Sequence, residues 1–358
     1  MHFSIETQLL TVDSAHPDLH IIQMAAYTLL EGKLVAFPTE TVYGLGANAT
    51  DMQAVDRIFV AKGRPSSDPL IVHIATHEQL SQVAHAVPAI ALELARVFWP
   101  GPLTLILPRH PSIPSNVTAN RDTVAVRMPN HSVAQALLQV AAVPIVAPSA
   151  NLFAHPSPTT AQHVFDDLHG RVDIILDGGP TPIGLESTVV SLIEDEPAIL
   201  RPGGITVEAL QKHLPSITFQ ARYLSVEESA TGAPAPGMLA RHYAPHAKLM
   251  LFTGNPQPVF RHMRQVAQEL LAAGKRIGIL TTDEEHDLFA SLEVQLITLG
   301  SRADMAHVGQ RLFAAMRELD KRGVDVMLVR ELPSEGLGLT IRDRLLRATE
   351  GQVIHVDE

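Results

Sequence analysis

The chain has 358 residues, 46% hydrophobic and 18% charged, and its 27 basic and 38 acidic side chains leave a net charge of −11. At roughly 150 residues per domain this predicts two domains or slightly more, and the apolar fraction excludes a disordered chain. The lack of cysteine excludes disulfide scaffolds, thiolate metal sites, iron–sulfur clusters and cysteine nucleophiles.

The N-terminus has no basic start followed by an apolar core and a cleavage site, so no secretory signal is expected. The longest apolar runs, such as residues 141–147, are too short to span a bilayer, and a soluble cytoplasmic protein is expected. Residues 1–216 carry 11 Lys and Arg against 20 Asp and Glu, a net of −9, and the remainder 16 against 18, a net of −2. That sign opposes tight binding of nucleic acid through counterion release.

In chain order, strands are predicted at 33–37, 69–74, 103–107, 123–128, 143–147, 174–179 and 187–192, with helices at 54–59, 89–98, 133–140 and 161–168. Several strands follow one another without a long helix, which favours a mixed sheet over an all-parallel one. Residues 227–237 are poor in large apolar side chains and hold Gly232, Pro234, Pro236 and Gly237, the texture of a linker. Beyond Lys248, strands at 249–252, 276–280 and 324–329 alternate with helices near 257–273 and 303–321. Met305, Val308, Leu312, Ala315 and Leu319 form one apolar stripe on the last helix. The division expected is a mixed-sheet domain over 1–216, a linker over 217–246, and a small Rossmann-like, doubly wound α/β domain over 247–358.

Familiar nucleotide and metal motifs are missing. There is no P-loop, Gly336-Leu337-Gly338 lacks the third glycine of a dinucleotide fingerprint, and Gly44-Leu45-Gly46 is a weak signal. His242 and His246 have helical metal-pair spacing, but Pro245 between them forbids a regular helix, so ordinary loop histidines are the expectation. Lys62-Gly63-Arg64-Pro65 is more informative. Pro65 biases Arg64 towards an extended conformation, and in an extended chain Lys62 and Arg64 would project together. Only three lysines occur before residue 217, so the pair concentrates positive charge and suits a polyphosphate; the plainer alternative is a solvated turn. Ser149 and Asn151 follow a strand end, and Thr39 and Thr41 share a similar alternation. Glu186-Ser187-Thr188 and Leu200-Arg201-Pro202-Gly203-Gly204 complete the set, the last reading by itself as a tight turn with a surface arginine. Small hydroxyls and isolated cations at strand ends suit a site that positions an anionic ligand rather than one that forms a covalent intermediate.

Residues 33–47 (Lys-Leu-Val-Ala-Phe-Pro-Thr-Glu-Thr-Val-Tyr-Gly-Leu-Gly-Ala), 62–65, 69–73, 99–104, 127–129 and 148–151 resemble, in the same order, the motifs of the YrdC-like domain. Pro236-Gly237-Met238 and His242-Tyr243-Ala244-Pro245 resemble the linker of the two-domain threonylcarbamoyl-AMP synthases. The resemblance implies a twisted open mixed α/β sheet with a concavity. It also implies a nucleotidyltransferase that joins L-threonine, bicarbonate or CO2, and ATP into threonylcarbamoyl-adenylate and pyrophosphate, for threonylcarbamoyladenosine formation on tRNA.

By position, the resemblance implies that Thr39, His73, Arg127, Ala147 through its backbone, Ser187 and Thr188 bind threonine. It implies that Lys62 and Arg64 hold the ATP phosphates and act catalytically, with Ser66, Thr123, Ser149, Asn151, Ser157 and Arg201 on the nucleotide side and Tyr243 folding back over ATP. Mg2+ is expected on the ATP phosphates, without a direct protein ligand and without a prosthetic group. The expected partners are the downstream tRNA threonylcarbamoyl-transfer proteins, with at most weak RNA binding and no membrane. Asp68 stands where many members carry Asn; approach to Mg2+ and a solvated side chain are both open for it. The linker 236–245 is expected to close over the nucleotide. Two alternatives are an RNA-binding module and a carbamoyl-transfer enzyme of the hydrogenase-maturation type, which normally adds zinc-finger segments that this cysteine-free chain lacks.

Overall fold

The computed structural model describes residues 5–219, 235 and 242–356, in two compact units: one within 1–153 and 157–239, the other comprising 154–156 and 240–358. Most of the expected lid, including Pro236-Gly237-Met238, lies outside the described residues.

The first unit is built on a ten-stranded mixed sheet in the order β1-β8-β2-β3-β7-β4-β6-β5-β9-β10. Its strands are β1 (Gln8–Thr11), β2 (Val35–Phe37), β3 (Gly44–Asn48), β4 (Ile71–His73), β5 (Leu103–Pro108), β6 (Thr123–Arg127), β7 (Ile145–Val146), β8 (Ile174–Asp177), β9 (Thr188–Ser191) and β10 (Ala198–Arg201). The helices include α1 (Leu19–Leu30), α2 (Met52–Lys62), α3 (Leu80–Val83), α4 (Ala89–Phe98), α5 (Ser132–Ala141), α6 (Ala161–Leu168) and α7 (Val207–Gln211). Strands β4 and β6 run parallel, as do β5 and β9, whereas β5 and β6 run antiparallel. The sheet is mixed, as the closely spaced strands predict.

Alternation in the central strands separates two faces. Val72, Leu103, Leu105, Leu107, Val124, Val126 and Val190 point into the main core, each fully buried side chain contributing about 1.5–3 kcal/mol. On the other face, register aligns His73 with Arg127, Arg127 with Thr104 and Thr104 with Val189. The next row aligns Ile71, Ala125, Ile106 and Ser191. Ile71, Ile106, Ala125 and Val189 form a small apolar cluster there, which buries Ala235 from the linker. The central sheet therefore has a second buried face, part polar and part apolar.

Local details depart from the sequence reading. Gly44-Leu45-Gly46, a weak signal in the sequence, opens strand β3, where a side chain at Gly46 would meet Phe37 at 2.9 Å and the Val35 carbonyl at 3.0 Å. Helix α1 and strand β1 are unpredicted; the helix is started by the Asp18 carboxylate, which accepts from the His20 and Ile21 amides.

The second unit has a five-stranded sheet, β13-β12-β14-β11-β15, in which every pairing is parallel. Its elements are β11 (Lys248–Gly254), α8 (Pro256–Ala272), β12 (Ile277–Thr281), β13 (Gln295–Thr298), α9 (Met305–Lys321), β14 (Val326–Arg330), α10 (Leu337–Ala348) and β15 (Val353–Val356). Val259, Phe260, Met263 and Ala267 of α8 pack on one face of the sheet. On the other, Leu319 of α9 fills the space over Gly278, where a side chain would lie 2.8 Å from it. Helices on both faces make the unit doubly wound, although β14 between β12 and β11 departs from the Rossmann 3-2-1 order.

Candidate active site

The loop between β2 and β3 enters the polar row of the sheet from one side. The Thr39 hydroxyl donates to the Val42 carbonyl at 2.7 Å, accepts from the Thr41 and Val42 amides, and lies 2.8 Å from the Thr41 hydroxyl. These bonds fold the loop so that Glu40, 4% exposed, meets Arg127 of β6 at 2.7 Å. Glu40 was not singled out in the sequence, and a polar loop residue gives no sign of which strand it will reach. The Arg127 Nε–H also points towards the Gly101 carbonyl, at 3.4 Å.

Beside Arg127 in register is His73, whose Nδ1 lies 3.2 Å from the Ile71 carbonyl. A carbonyl only accepts, so this contact puts the proton on Nδ1 and leaves a lone pair on Nε2. Burial, reinforced by the Arg127 cation, pulls the imidazole pKa down to about 3, so His73 is neutral at physiological pH. On the other side of Arg127, the Thr104 hydroxyl pairs with that of Ser187 at 2.7 Å.

Ser187 leads to Arg201. That guanidinium is buried and donates to the Ser187 carbonyl from Nε at 3.2 Å and from one terminal nitrogen at 2.9 Å, so the surface-arginine reading of this turn is corrected. Gly203 makes the approach possible: a side chain there would sit 2.3 Å from the Ser187 carbonyl carbon and the Thr188 nitrogen. The neighbouring Glu186 carboxylate accepts from the Ser157 hydroxyl.

The Lys62–Arg64 pair is arranged differently from the extended stretch expected. Lys62 is the last residue of α2, and Gly63 ends the helix in the left-handed region at φ 63°. The Lys62 ammonium, 2% exposed, donates to the carbonyls of both Ser149 and Asn151. It thereby fixes the loop after β7. Arg64 donates to the Pro69 carbonyl at 2.8 Å and is ion-paired with Asp68 at 3.0 Å. Asp68 is fully buried, which removes the solvated alternative. The Ala147 amide donates to Ile71, and Ser149 bridges to Gly44, which ties this loop to β3 and β4.

Not every expected residue joins this chain of contacts. The Thr188 hydroxyl donates to the Ile205 carbonyl and accepts from its amide, and Thr188 alternates with Val189, placing it on the core side of β9. Ser66 is exposed. Thr123 shares the face of Arg127 but lies at the far end of β6. Tyr243 is buried in the second unit, stacked on Phe313 at 5.3 Å and under the Arg344 guanidinium at 5.0 Å. His242, expected as an ordinary loop histidine, is buried beside it, and His246 packs edge-on against His155.

Among the described residues, no three His, Asp or Glu side chains converge as a metal site. The three buried carboxylates here, Glu40, Asp68 and Glu186, already engage Arg127, Arg64 and Ser157. Four cations (Lys62, Arg64, Arg127, Arg201) face three carboxylates, with neutral hydroxyls and one neutral imidazole between them. The arrangement suits a carboxylate and a polyphosphate.

Comparison with known proteins agrees in both units. The family model described as "Telomere recombination" matches residues 27–203, and that described as "Threonylcarbamoyl-AMP synthase, C-terminal domain" matches 205–349. The threonylcarbamoyl-AMP synthase of Pyrococcus abyssi is 44% identical over 94% of this chain and 96% of its own length. That of Bacillus subtilis is 45% identical over 93% and 94%. The crystal structure of P. abyssi Sua5 complexed with L-threonine superposes with a TM-score of 0.90 at 43% identity, covering 98% of this chain and 99% of that one. Among the described residues, no helix is long and apolar enough to cross a membrane. With sequence identity of this order running through both units, the chain belongs to the threonylcarbamoyl-AMP synthase family.

Proposed function

We propose that this chain makes threonylcarbamoyl-adenylate and pyrophosphate from L-threonine, bicarbonate or CO2, and ATP, with the chemistry carried by the first unit. The observation that carries the residue assignments is the buried row of His73, Arg127 and Thr104, flanked by the Glu40 carboxylate and by the Lys62-held loop.

In this reading Arg127 forks onto the threonine carboxylate, with Glu40 holding the guanidinium in place. Thr39, the Ala147 backbone and Ser187 line the amino-acid side. The neutral His73 offers Nε2 as an acceptor towards the amine or hydroxyl. Threonine's amine must lose a proton before it attacks CO2, and a fixed neutral imidazole can accept a hydrogen bond from that amine. The carbamate so formed attacks the α-phosphorus of ATP, and pyrophosphate leaves. Lys62 and Arg64 neutralise charge on the phosphates, and Arg201, Asn151, Ser149 and Ser157 support the nucleotide. Ser66 and Thr123 belong to its periphery, and Thr188 acts through the backbone around Ser187. Mg2+ arrives on the phosphates as part of the ATP substrate.

A carbamate loses CO2 readily in water, so the protein's main task is alignment and exclusion of solvent. Burial of Ala235 over Ile71, Ile106, Ala125 and Val189 supports a linker that covers this face. The product passes to tRNA threonylcarbamoyl-transfer proteins in the cytoplasm, and the acidic first unit makes direct RNA binding weak at most. A pyrophosphate-release assay on the purified chain tests the reading. Release is expected only with ATP, threonine and bicarbonate together, and release without threonine would refute it.

A further inference from the structure

We propose that the second unit has a phosphate-binding pocket of its own, built on Arg302, Arg330 and Arg342. The strands of its sheet are all parallel, so β11 and β14 end at one edge, the edge where open α/β sheets hold ligands. A cavity of about 330 Å³ lies there, lined by Thr253, Arg302, Arg330, Glu331, Ser334 and Arg342. Its wall therefore carries three guanidiniums and one carboxylate.

Of the carboxylates around these arginines, only Glu331 lines the cavity. Glu285, 5% exposed, accepts from both Arg302, at 2.8 Å, and Arg330. Glu331 accepts from Arg342 and from the Thr253 hydroxyl. Glu284 turns to the Ser301 hydroxyl and the Arg302 amide. Burial disfavours the Arg330 cation and the nearby Arg302 adds to that, while Glu285 opposes both; the guanidinium also sits 5.0 Å over the Phe260 ring. A phosphoryl group supplies negative charge and several acceptor oxygens to donors of this fork geometry. The cavity volume, at the small end for ligand sites, suits phosphate, pyrophosphate or the phosphate end of a nucleotide.

The test is equilibrium dialysis of the full chain against labelled inorganic phosphate, pyrophosphate and ATP in separate arms. These arms tell a bare phosphoryl ligand from a nucleotide. A Lys62→Ala/Arg64→Ala background removes phosphate binding by the first unit and is expected to retain about one equivalent of the preferred probe. Adding Arg302→Gln and Arg342→Gln, which spares the buried Arg330–Glu285 pair, is expected to weaken that binding at least about tenfold. Ser334→Glu, at an exposed position on the wall, is expected to do the same without touching an arginine. No binding of any probe to the Lys62/Arg64 background would overturn the proposal, as would binding indifferent to all three wall substitutions. Because the wall variants are also measured in the unsubstituted chain, failure of the first-unit assignment and failure of this one give different patterns.

Discussion

Replacing Arg127 by Met separates what its guanidinium does for the fold from what it does for the ligand. Arg127 is 4% exposed and paired at 2.7 Å with Glu40, itself 4% exposed. Removing one partner of such a pair strands a buried charge and costs about 3–5 kcal/mol. Removing both charges in Arg127→Met/Glu40→Gln leaves no unpaired ion and is expected to recover most of that loss. Trp99 is the single tryptophan and is buried in the first unit, so its fluorescence in urea reports on that unit alone. Threonine affinity, by calorimetry, is expected to fall in the single variant and to stay low in the double variant, because the carboxylate fork is gone from both. A single variant less than about 1 kcal/mol below wild type, or a double variant that binds threonine normally, would refute the assignment.

Lys62→Ala and Arg64→Ala are each expected to lower the rate of pyrophosphate release about 100-fold; Lys62→Ala also frees the Ser149–Asn151 loop, which faster amide exchange at 149–152 would reveal. Gly203→Ala would push a methyl group into the Ser187–Thr188 backbone, and a loss of at least about 2 kcal/mol with a fall in activity is expected in urea titrations and rate assays. His73 titrates near 3 when folded and near 6.5 when unfolded. Between those values the unfolded chain binds the extra proton, so stability falls as pH drops, by up to about 1.4 kcal/mol per unit. His73→Gln is expected to flatten that part of the profile relative to wild type; an unchanged slope would show that His73 is not held neutral.

The central strands were legible because each alternates over a buried, two-faced sheet: 103–107 and 123–128 show the pattern, and it places Arg127 on the polar side. Thr104 was not, since threonine in an apolar run reads as an ordinary strand former until its register beside Arg127 is known. The Pro65 argument reaches only Arg64; the stronger signal was Gly63, a helix-ending residue, and it makes Lys62 the end of α2. Arg201 was misread because Pro202-Gly203-Gly204 signals a turn locally, whereas the glycine is required by a contact with residues 186–188. Glu40 lay between two threonines that fold its loop, but nothing within the loop names a partner 87 positions away. Helix α1 was readable from Ile22, Ala25, Ala26 and Leu29 after Asp18, a helical spacing behind a capping residue.

The most direct measurement is mass spectrometry of the adenylated product formed from ATP, threonine and carbon-13 bicarbonate. Joint activation of threonine and CO2 in the first unit requires an adenylate that carries the label, and that product is expected to disappear in Arg127→Met. An unlabelled adenylate of threonine itself would mean that the amino acid is activated at its own carboxylate, contradicting the account.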